Sequence, residues 1–444
     1  MASTSPSPVK ESGRLREKLG GGVRALRHRN FQLFFAGQFV SLIGTWMQTV
    51  AQSWLIYRLT GSSLLLGAVA FSSQIPVFIF APLGGALADR VNRHKIIVAT
   101  QTASMVLAFA LAGLTLTGKI KIWEIFVIAA LLGIVNAFDI PARQSFLLEM
   151  VTRDDLMNAI ALNSSMFNGA RVLGPAVAGI LVAKVGEGWC FFANAASYIA
   201  VIVGLMMMNV KRIEPALPRK SAFADILEGF TFVWHKPPVF GLLMLLGILS
   251  LVGTPYNVLM PIFADRILHS GAKGLGILMG ASGIGALFGA LMLTLRKGVK
   301  GLGTWVAVTS GTFGASLILF SLSRWFWISA ALLLPVGFSI MVQMASSNTL
   351  IQAMVPDRLR GRVMAVYSMM FMGMAPIGAI LAGALAHKFS AQLSVAVGGL
   401  LAIAAAITFG LRLPRLREEA RALISAQTVI PGQPVQDLSA RPAS

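Results

Sequence analysis

Twelve long apolar stretches, near residues 31–57, 62–84, 95–117, 123–147, 157–184, 188–210, 238–263, 271–295, 303–322, 325–350, 361–388 and 391–412, dominate this chain. Most are long enough to cross a ~30 Å hydrocarbon core as helices. With 56% hydrophobic and 12% charged residues, 444 positions hold too few polar side chains to coat a soluble protein. The expectation is an all-α membrane protein of twelve transmembrane helices, whose many internal Gly and Pro are tolerated where neighbours re-satisfy the backbone.

The net charge of +20 would suit nucleic acid, but its distribution excludes that partner. If the N-terminus is cytoplasmic, the outward connections carry only Arg58, Lys119, Lys121, Lys184, Arg266, Lys273, Arg324 and Lys388. Every other Lys or Arg except Arg171 falls in the tails, in the inward connections or at the adjoining inner ends of the spans, which predicts both termini inside. Residues 1–30 carry Lys10, Arg14, Arg16, Lys18, Arg24, Arg27 and Arg29, lack a secretory signal's apolar core and cleavage site, and are expected to be a retained basic tail. The polar stretch 413–444 is expected to be a disordered cytoplasmic tail. Cys190, the single cysteine, can form no internal disulfide and is expected to pack as a small apolar residue.

The longest inward connection, 211–237, separates a bundle of six spans at 31–210 from a second six at 238–412. Its stretch Phe223–Trp234 has apolar residues at helical spacing and reads as a surface helix or a plain linker. A shift of 204 residues superposes Glu149-Met150-Val151 on Ala353-Met354-Val355 and Ala178-Gly179 on Ala382-Gly383, as expected of two related bundles.

Between the second and third stretches lies Gly85-Ala-Leu-Ala-Asp89-Arg90-Val-Asn92-Arg93-His94-Lys95. This resembles the hinge of major facilitator superfamily transporters, with Asn92 where a second Gly is usual. Asn also tolerates left-handed backbone, which would preserve the turn. The resemblance implies a gating role for Gly85, Asp89, Arg90, Arg93 and Lys95, in which Asp89 engages adjoining helix ends in the outward-open state and the basic residues face anionic lipid. A merely topogenic basic loop is the alternative. The repeat of this hinge in the second half is degraded: Leu293 replaces Asp89, leaving Arg296, Lys297 and Lys300.

Polar side chains recur at helical spacing in four spans: Gln38, Ser41, Thr45, Gln48 and Gln52 in the first; Asn136, Asp139 and Arg143 in the fourth; Ser250, Thr254 and Asn257, beside Tyr256, in the seventh; and Ser339, Gln343 and Ser346 in the tenth. Such stripes avoid lipid. In the superfamily these four spans line the central cavity, which makes these residues cavity-lining candidates; hydrogen bonding between helices is the alternative.

Asp139 is the one acidic residue well inside an apolar segment, roughly nine residues or ~14 Å of helix rise from the inner end of its span. A buried carboxylate without full compensation holds a proton more readily, the property a proton-coupled carrier uses. Arg171, deep in the fifth span, is the expected partner, either as a static ion pair or as a pair that breaks and re-forms with each proton.

Around it, Gly169-Ala-Arg171-Val-Leu-Gly174-Pro175-Ala-Val-Ala178-Gly179 resembles the Gly-Pro motif of superfamily exporters and antiporters, with Ala178 in place of a first glycine. The segments Asp139-Ile-Pro-Ala-Arg-Gln, Asn158 to Arg171 and Cys190 to Tyr198, with Arg29-Asn30-Phe31 and Gln38, are similar to the drug and siderophore exporter branch that includes enterobactin exporters and macrolide efflux proteins. The likeness covers most of residues 28–410. It implies proton antiport of a small amphipathic organic compound by alternating access, in a monomer of the bacterial inner membrane. The chain has neither a phosphate-cradling Gly loop nor a nucleophile and base arrangement, so the expectation is no enzyme, no cofactor and the proton gradient as driving force. His28, His94, His235, His269 and His387 are scattered, and no metal site is expected. An importer of the same fold and a non-transporting membrane sensor or assembly protein remain open at this point. Trp46, Trp54 and Phe167 could add stacking surface for a lipophilic guest or serve helix packing.

Overall fold

The computed structural model describes residues 24–209, 222–296 and 298–428. Among them, 12 helices are long and apolar enough to cross a membrane: Arg29–Thr60, Ser63–Arg90, Arg93–Leu116, Ile122–Met150, Arg153–Val185, Glu187–Met206, Pro237–Ile267, Gly271–Thr294, Leu302–Leu322, Phe326–Met354, Asp357–Lys388 and Ala391–Ser425. The chain is an all-helical, multi-pass membrane protein. These helices are called the first to twelfth spans below.

The turns follow from local chemistry. The first span ends at Gly61, whose φ of 60° is open to glycine and whose N–H returns to the Tyr57 carbonyl. Ser62 then caps the second span by accepting from the Leu65 N–H. In the charged hinge the second span runs through Asp89 and Arg90, and Asn92 caps the third by accepting from the Lys95 N–H at 3.4 Å. The expected left-handed turn is absent: Asn92 has φ −58°, because an Asn side chain can cap the next helix where a Gly could only bend.

The seventh span is regular only in pieces. Two π-helical turns, Leu249–Gly253 and Phe263–Ile267, flank Tyr256–Ile262, with Pro255 and Pro261 each removing a backbone donor. The twelfth helix corrects the expected tail. It continues to Thr428 through Pro414, so residues 413–428 are helical, while 429–444 lie outside the described residues. So do residues 1–23 of the basic tail, 211–221 of the linker, and Lys297. Residues Ala222–Trp234 of the linker form a helix held to the start of the eleventh span, where Arg358 donates to Glu228 at 2.9 Å and Arg362 also pairs with it. At the other end of the chain, the Ala25 N–H donates to Asn158 Oδ1 at 2.8 Å, and Arg24 and His28 pair with Asp155 at the start of the fifth span.

Within the first six spans, the first packs on the fifth and sixth, the second on the fourth, and the third on the fourth and sixth. Within the second six, the tenth packs on the eighth and ninth, and the twelfth on the ninth. Two seams join the sets, fifth on eighth and second on eleventh. Both rest on missing side chains. A Cβ on Gly276 would lie 2.5 Å from the Pro175 carbonyl oxygen and 2.8 Å from Gly179 Cα, and one on Gly383 would lie 2.6 Å from the Ser63 carbonyl. Polar contacts complete the closure at the end away from the termini. Tyr57 donates to Asp265 at 2.7 Å, Arg266 donates to the Gly61 carbonyl at 3.1 Å, and Ser63 donates to the Gly383 carbonyl at 3.1 Å.

The terminus-bearing end differs. Asp89 is 57% exposed, its nearest cation is Arg93 at 3.9 Å in the same hinge, and a Cβ on Gly85 would meet nothing within 4 Å. The halves are thus sealed at the far end, with the hinge uncovered at the near one. Gly276→Val should wedge the sealed seam apart: in a Cys190→Ala background, Cys placed at Ser63 would become reactive to a membrane-impermeant maleimide, while membrane insertion stays normal.

Candidate functional site

Asp139 is 2% exposed and fully engaged inside the first half. Thr100 Oγ1 donates to its Oδ1 at 2.8 Å and Gln101 Nε2 to the same atom at 2.9 Å, while Arg143, one helical turn along the fourth span, pairs with Oδ2. This corrects the expected partnership: the counter-charge is Arg143, not Arg171. The reason is proximity. An i,i+4 pair on one helix needs no movement of a neighbour, and two third-span donors complete the carboxylate's shell. Arg143 is partly exposed at 21%, so the pair is not wholly enclosed.

A second carboxylate ties the same two helices closer to the hinge. Arg93 at the start of the third span donates to Glu149 of the fourth at 2.7 Å and to the Ala88 carbonyl at 3.1 Å. Glu149 was missed in the sequence because it sits at a helix end, where a carboxylate looks solvated. Its distance in sequence from the hinge gave no signal of contact. Arg90 and Lys95 are exposed beside it.

The polar stripes divide into two kinds. Gln48 accepts from Asn194 of the sixth span at 2.7 Å, Ser250 donates to the Phe371 carbonyl of the eleventh at 2.6 Å, and Gln343 donates to Ser347 at 3.3 Å. Gln38, Ser41, Ser339 and Ser346 are likewise buried. In this structure these seven are covered rather than lining open space, and Gln38 Oε1, Gln343 Oε1 and the Ser339 and Ser346 hydroxyls are buried without a hydrogen-bond partner among the described residues; periodicity marks a lipid-free face without saying whether water or another helix covers it. Thr45 and Asn257 are exposed, and Gln52, Asn136 and Thr254 are half-buried. Tyr256 is buried, its hydroxyl 2.8 Å from Ser282 Oγ of the eighth span, on a segment that also packs against the first and second spans.

The first span instead turns aromatic rings away from the sixth. Phe31, Phe35 and Phe39 follow one another at 6.0 and 6.3 Å between ring centroids. Higher up, Trp46 meets Phe167 of the fifth span edge-on at 5.9 Å. Arg171 lies over both rings, its guanidinium carbon 5.3 Å from Trp46 and 5.6 Å from Phe167. The Gly-Pro motif around it works as packing. Gly174 lies against the backbone of Ile43 and Met47, Gly179 against Gly276, and Pro175 and Gly179 form the fifth-eighth seam, while Gly169 leaves room for Phe39.

These features define the class: two six-helix bundles meeting along two seams, with charged groups inside a membrane, make a major facilitator transporter rather than an enzyme. The model of the family described as transmembrane secretion effector matches residues 21–441, and the chain belongs to that family of major facilitator transporters. It is 25% identical over 381 residues to the staphyloferrin A transporter of Staphylococcus aureus (strain NCTC 8325 / PS 47), covering 85% of this chain and 94% of that one. It is 26% identical over 394 residues to the multidrug efflux pump Tap of Mycolicibacterium fortuitum, covering 84% and 93%. To the enterobactin exporter EntS of Escherichia coli O1:K1 / APEC it is 25% identical over 374 residues, covering 84% and 89%. In fold it is similar to the nucleoside transporter NupG, with a TM-score of 0.68 at 14% identity over 86% of this chain and 99% of that one. A bacterial homologue of the lysosomal transporter Spinster, in an inward-facing and unoccupied conformation, gives 0.64 at 14% identity over 90% and 99%.

Removing one side of the buried pair should be costly. Arg143→Gln would leave Asp139 with neutral donors alone and destabilise the first half by about 3–5 kcal/mol. Thermal unfolding in detergent should show the loss, and the double variant Asp139→Asn with Arg143→Gln should recover most of it.

Proposed function

We propose that this protein is a secondary active efflux carrier of the bacterial inner membrane, exchanging protons for a small amphipathic organic compound by alternating access. The observation that carries this reading is the pairing of third and fourth spans through two carboxylates. Asp139 lies in the interior and Glu149 beside the hinge, and both act on helices whose inner ends the hinge controls. The excess of Lys and Arg on one side supports a cytoplasmic position for both termini. The sealed far end is then the outer face, and the uncovered hinge belongs to an inward-open carrier.

In this mechanism a proton arriving on Asp139 removes the charge that holds Arg143, Thr100 and Gln101. The third and fourth spans then shift against each other, and the Arg93 and Glu149 contact carries that shift to the hinge. Asp89 would find its partners when the inner ends meet, and the two glycine seams would part outside. The exposed Arg90 and Lys95 would rest on anionic headgroups. The similarity to a multidrug efflux pump and an enterobactin exporter supports the outward direction.

Everted vesicles test the proposal. With a respiration-acidified lumen, wild-type protein should accumulate substrate inside, and collapse of the proton gradient should release it. Asp139→Asn should lower gradient-driven accumulation at least about tenfold, equivalent to about 1.4 kcal/mol, while leaving membrane insertion unchanged. Accumulation only in right-side-out vesicles would establish import instead. Asp89→Asn should slow transport with the gradient intact; a rate equal to wild type would remove the hinge from the mechanism.

A further inference from the structure

Arg171 is the charge that the coupling scheme leaves unused. It sits in the fifth span, fourteen residues or about 21 Å of helix rise before Val185, close to mid-membrane. A cation at this depth costs at least ~2.5–3.5 kcal/mol unless it is compensated. Among the described residues no carboxylate pairs with it; its neighbours are the faces of Trp46 and Phe167 and, within electrostatic reach, the Tyr256 hydroxyl of the seventh span. Two ring faces supply about 0.5–2 kcal/mol each at such a site, less than a full counter-charge would. Arg171 is half-buried and Phe167 is 42% exposed, so the residue that carries this charge and one of its rings are not sealed inside the first half.

The placement is as informative as the missing partner. The backbone at Arg171 and Val172 forms the seam itself: a Cβ on Gly283 of the eighth span would lie 3.1 Å from the Arg171 carbonyl oxygen and 3.2 Å from Val172 Cα. Tyr256 belongs to the opposite half. A ligand seated on this guanidinium would therefore lie beside the contact that must open and close. The ring series Phe31, Phe35 and Phe39 runs toward it from the terminus-bearing end, where the hinge is uncovered.

We infer that Arg171, boxed by Trp46 and Phe167, is the recognition site for an organic anion, its carboxylate or acidic phenolate on the guanidinium fork and its aromatic ring stacked against the half-buried indole and the exposed phenyl face. A guanidinium presents paired donors that match a planar oxyanion, and it prefers aromatic surroundings to a bare apolar wall. Neutral and cationic amphiphiles would have to leave this charge buried and unmet, so the site selects against them. The inference rests on the carrier reading only in placing substrate between the halves, and it assigns Arg171 to cargo rather than to the proton.

Binding without a gradient separates the two. Full-length protein in nanodiscs is titrated calorimetrically with 2-naphthoate, 2-naphthamide and 2-naphthylmethylammonium. Naphthoate should bind, and the amide and the ammonium should bind more weakly by on the order of ten- to a hundredfold. Arg171→Gln should erase that preference. Arg171→Lys, which keeps the charge and loses the fork, should retain part of it, and Trp46→Leu should weaken naphthoate while leaving the order of the three probes intact. Equal affinities for the three, no naphthoate binding at millimolar concentration, or an Arg171→Gln variant that loses thermal stability yet keeps wild-type naphthoate affinity would each overturn the proposal. Anion binding by a protein that fails in everted vesicles would instead overturn the efflux reading and leave this one standing.

Discussion

Close backbone approach between helices is the constraint on which the rest of this molecule depends. In lipid, apolar side chains gain little by leaving one hydrocarbon surface for another, so helices associate through dispersion contact and polar pairing. Both seams between the halves obey this rule. Gly276 fits against Pro175 and Gly179 on one side, and Gly383 fits against Ser63 and Gly67 on the other. A seam made of backbone contacts can close tightly and still part, since no long side chains must be extracted.

Polar groups then take one of three fates. Some are consumed in holding a half together, as Gln48 and Asn194 or Ser250 and the Phe371 carbonyl are. Some fasten the closure at the end away from the termini, as Tyr57 and Asp265 do. A few stand where their charge can respond: Asp139 within a three-donor shell, and Arg171 between aromatic faces. Under the proposed function, the separation of Asp139 from Arg171 would let proton and cargo act on different contacts. Asp139 bears on the third and fourth spans, and the backbone at Arg171 bears on the fifth-eighth seam.

Much of the architecture was legible in the chain. Apolar length fixed twelve helices, because the hydrocarbon thickness admits little else. The repeat and the long sixth-to-seventh connection anticipated paired bundles, and the hinge residues already carried the family likeness. The candidate site was less legible. Polar periodicity located faces that avoid lipid, yet Gln48 and Ser250 on those faces bond other helices, whereas Trp46 and Phe167, which read equally as stacking surface or as packing, lie under the Arg171 guanidinium. The tail beyond Leu413 read as polar and unstructured, but its first turns extend the twelfth helix through Thr428.

The division between the two levels has a physical cause. Sequence alone determined quantities set by one segment and its solvent: span length, charge asymmetry across the membrane, the small residues that permit close contact, and the rarity of an interior carboxylate. Tertiary structure decided everything that depends on which neighbour is nearest. It gave Asp139 to Arg143, Thr100 and Gln101, joined Arg93 to Glu149, and left Arg171 among rings. A helix period specifies an angle around an axis, and only the packing of other helices decides whether that angle meets lipid, water or a partner.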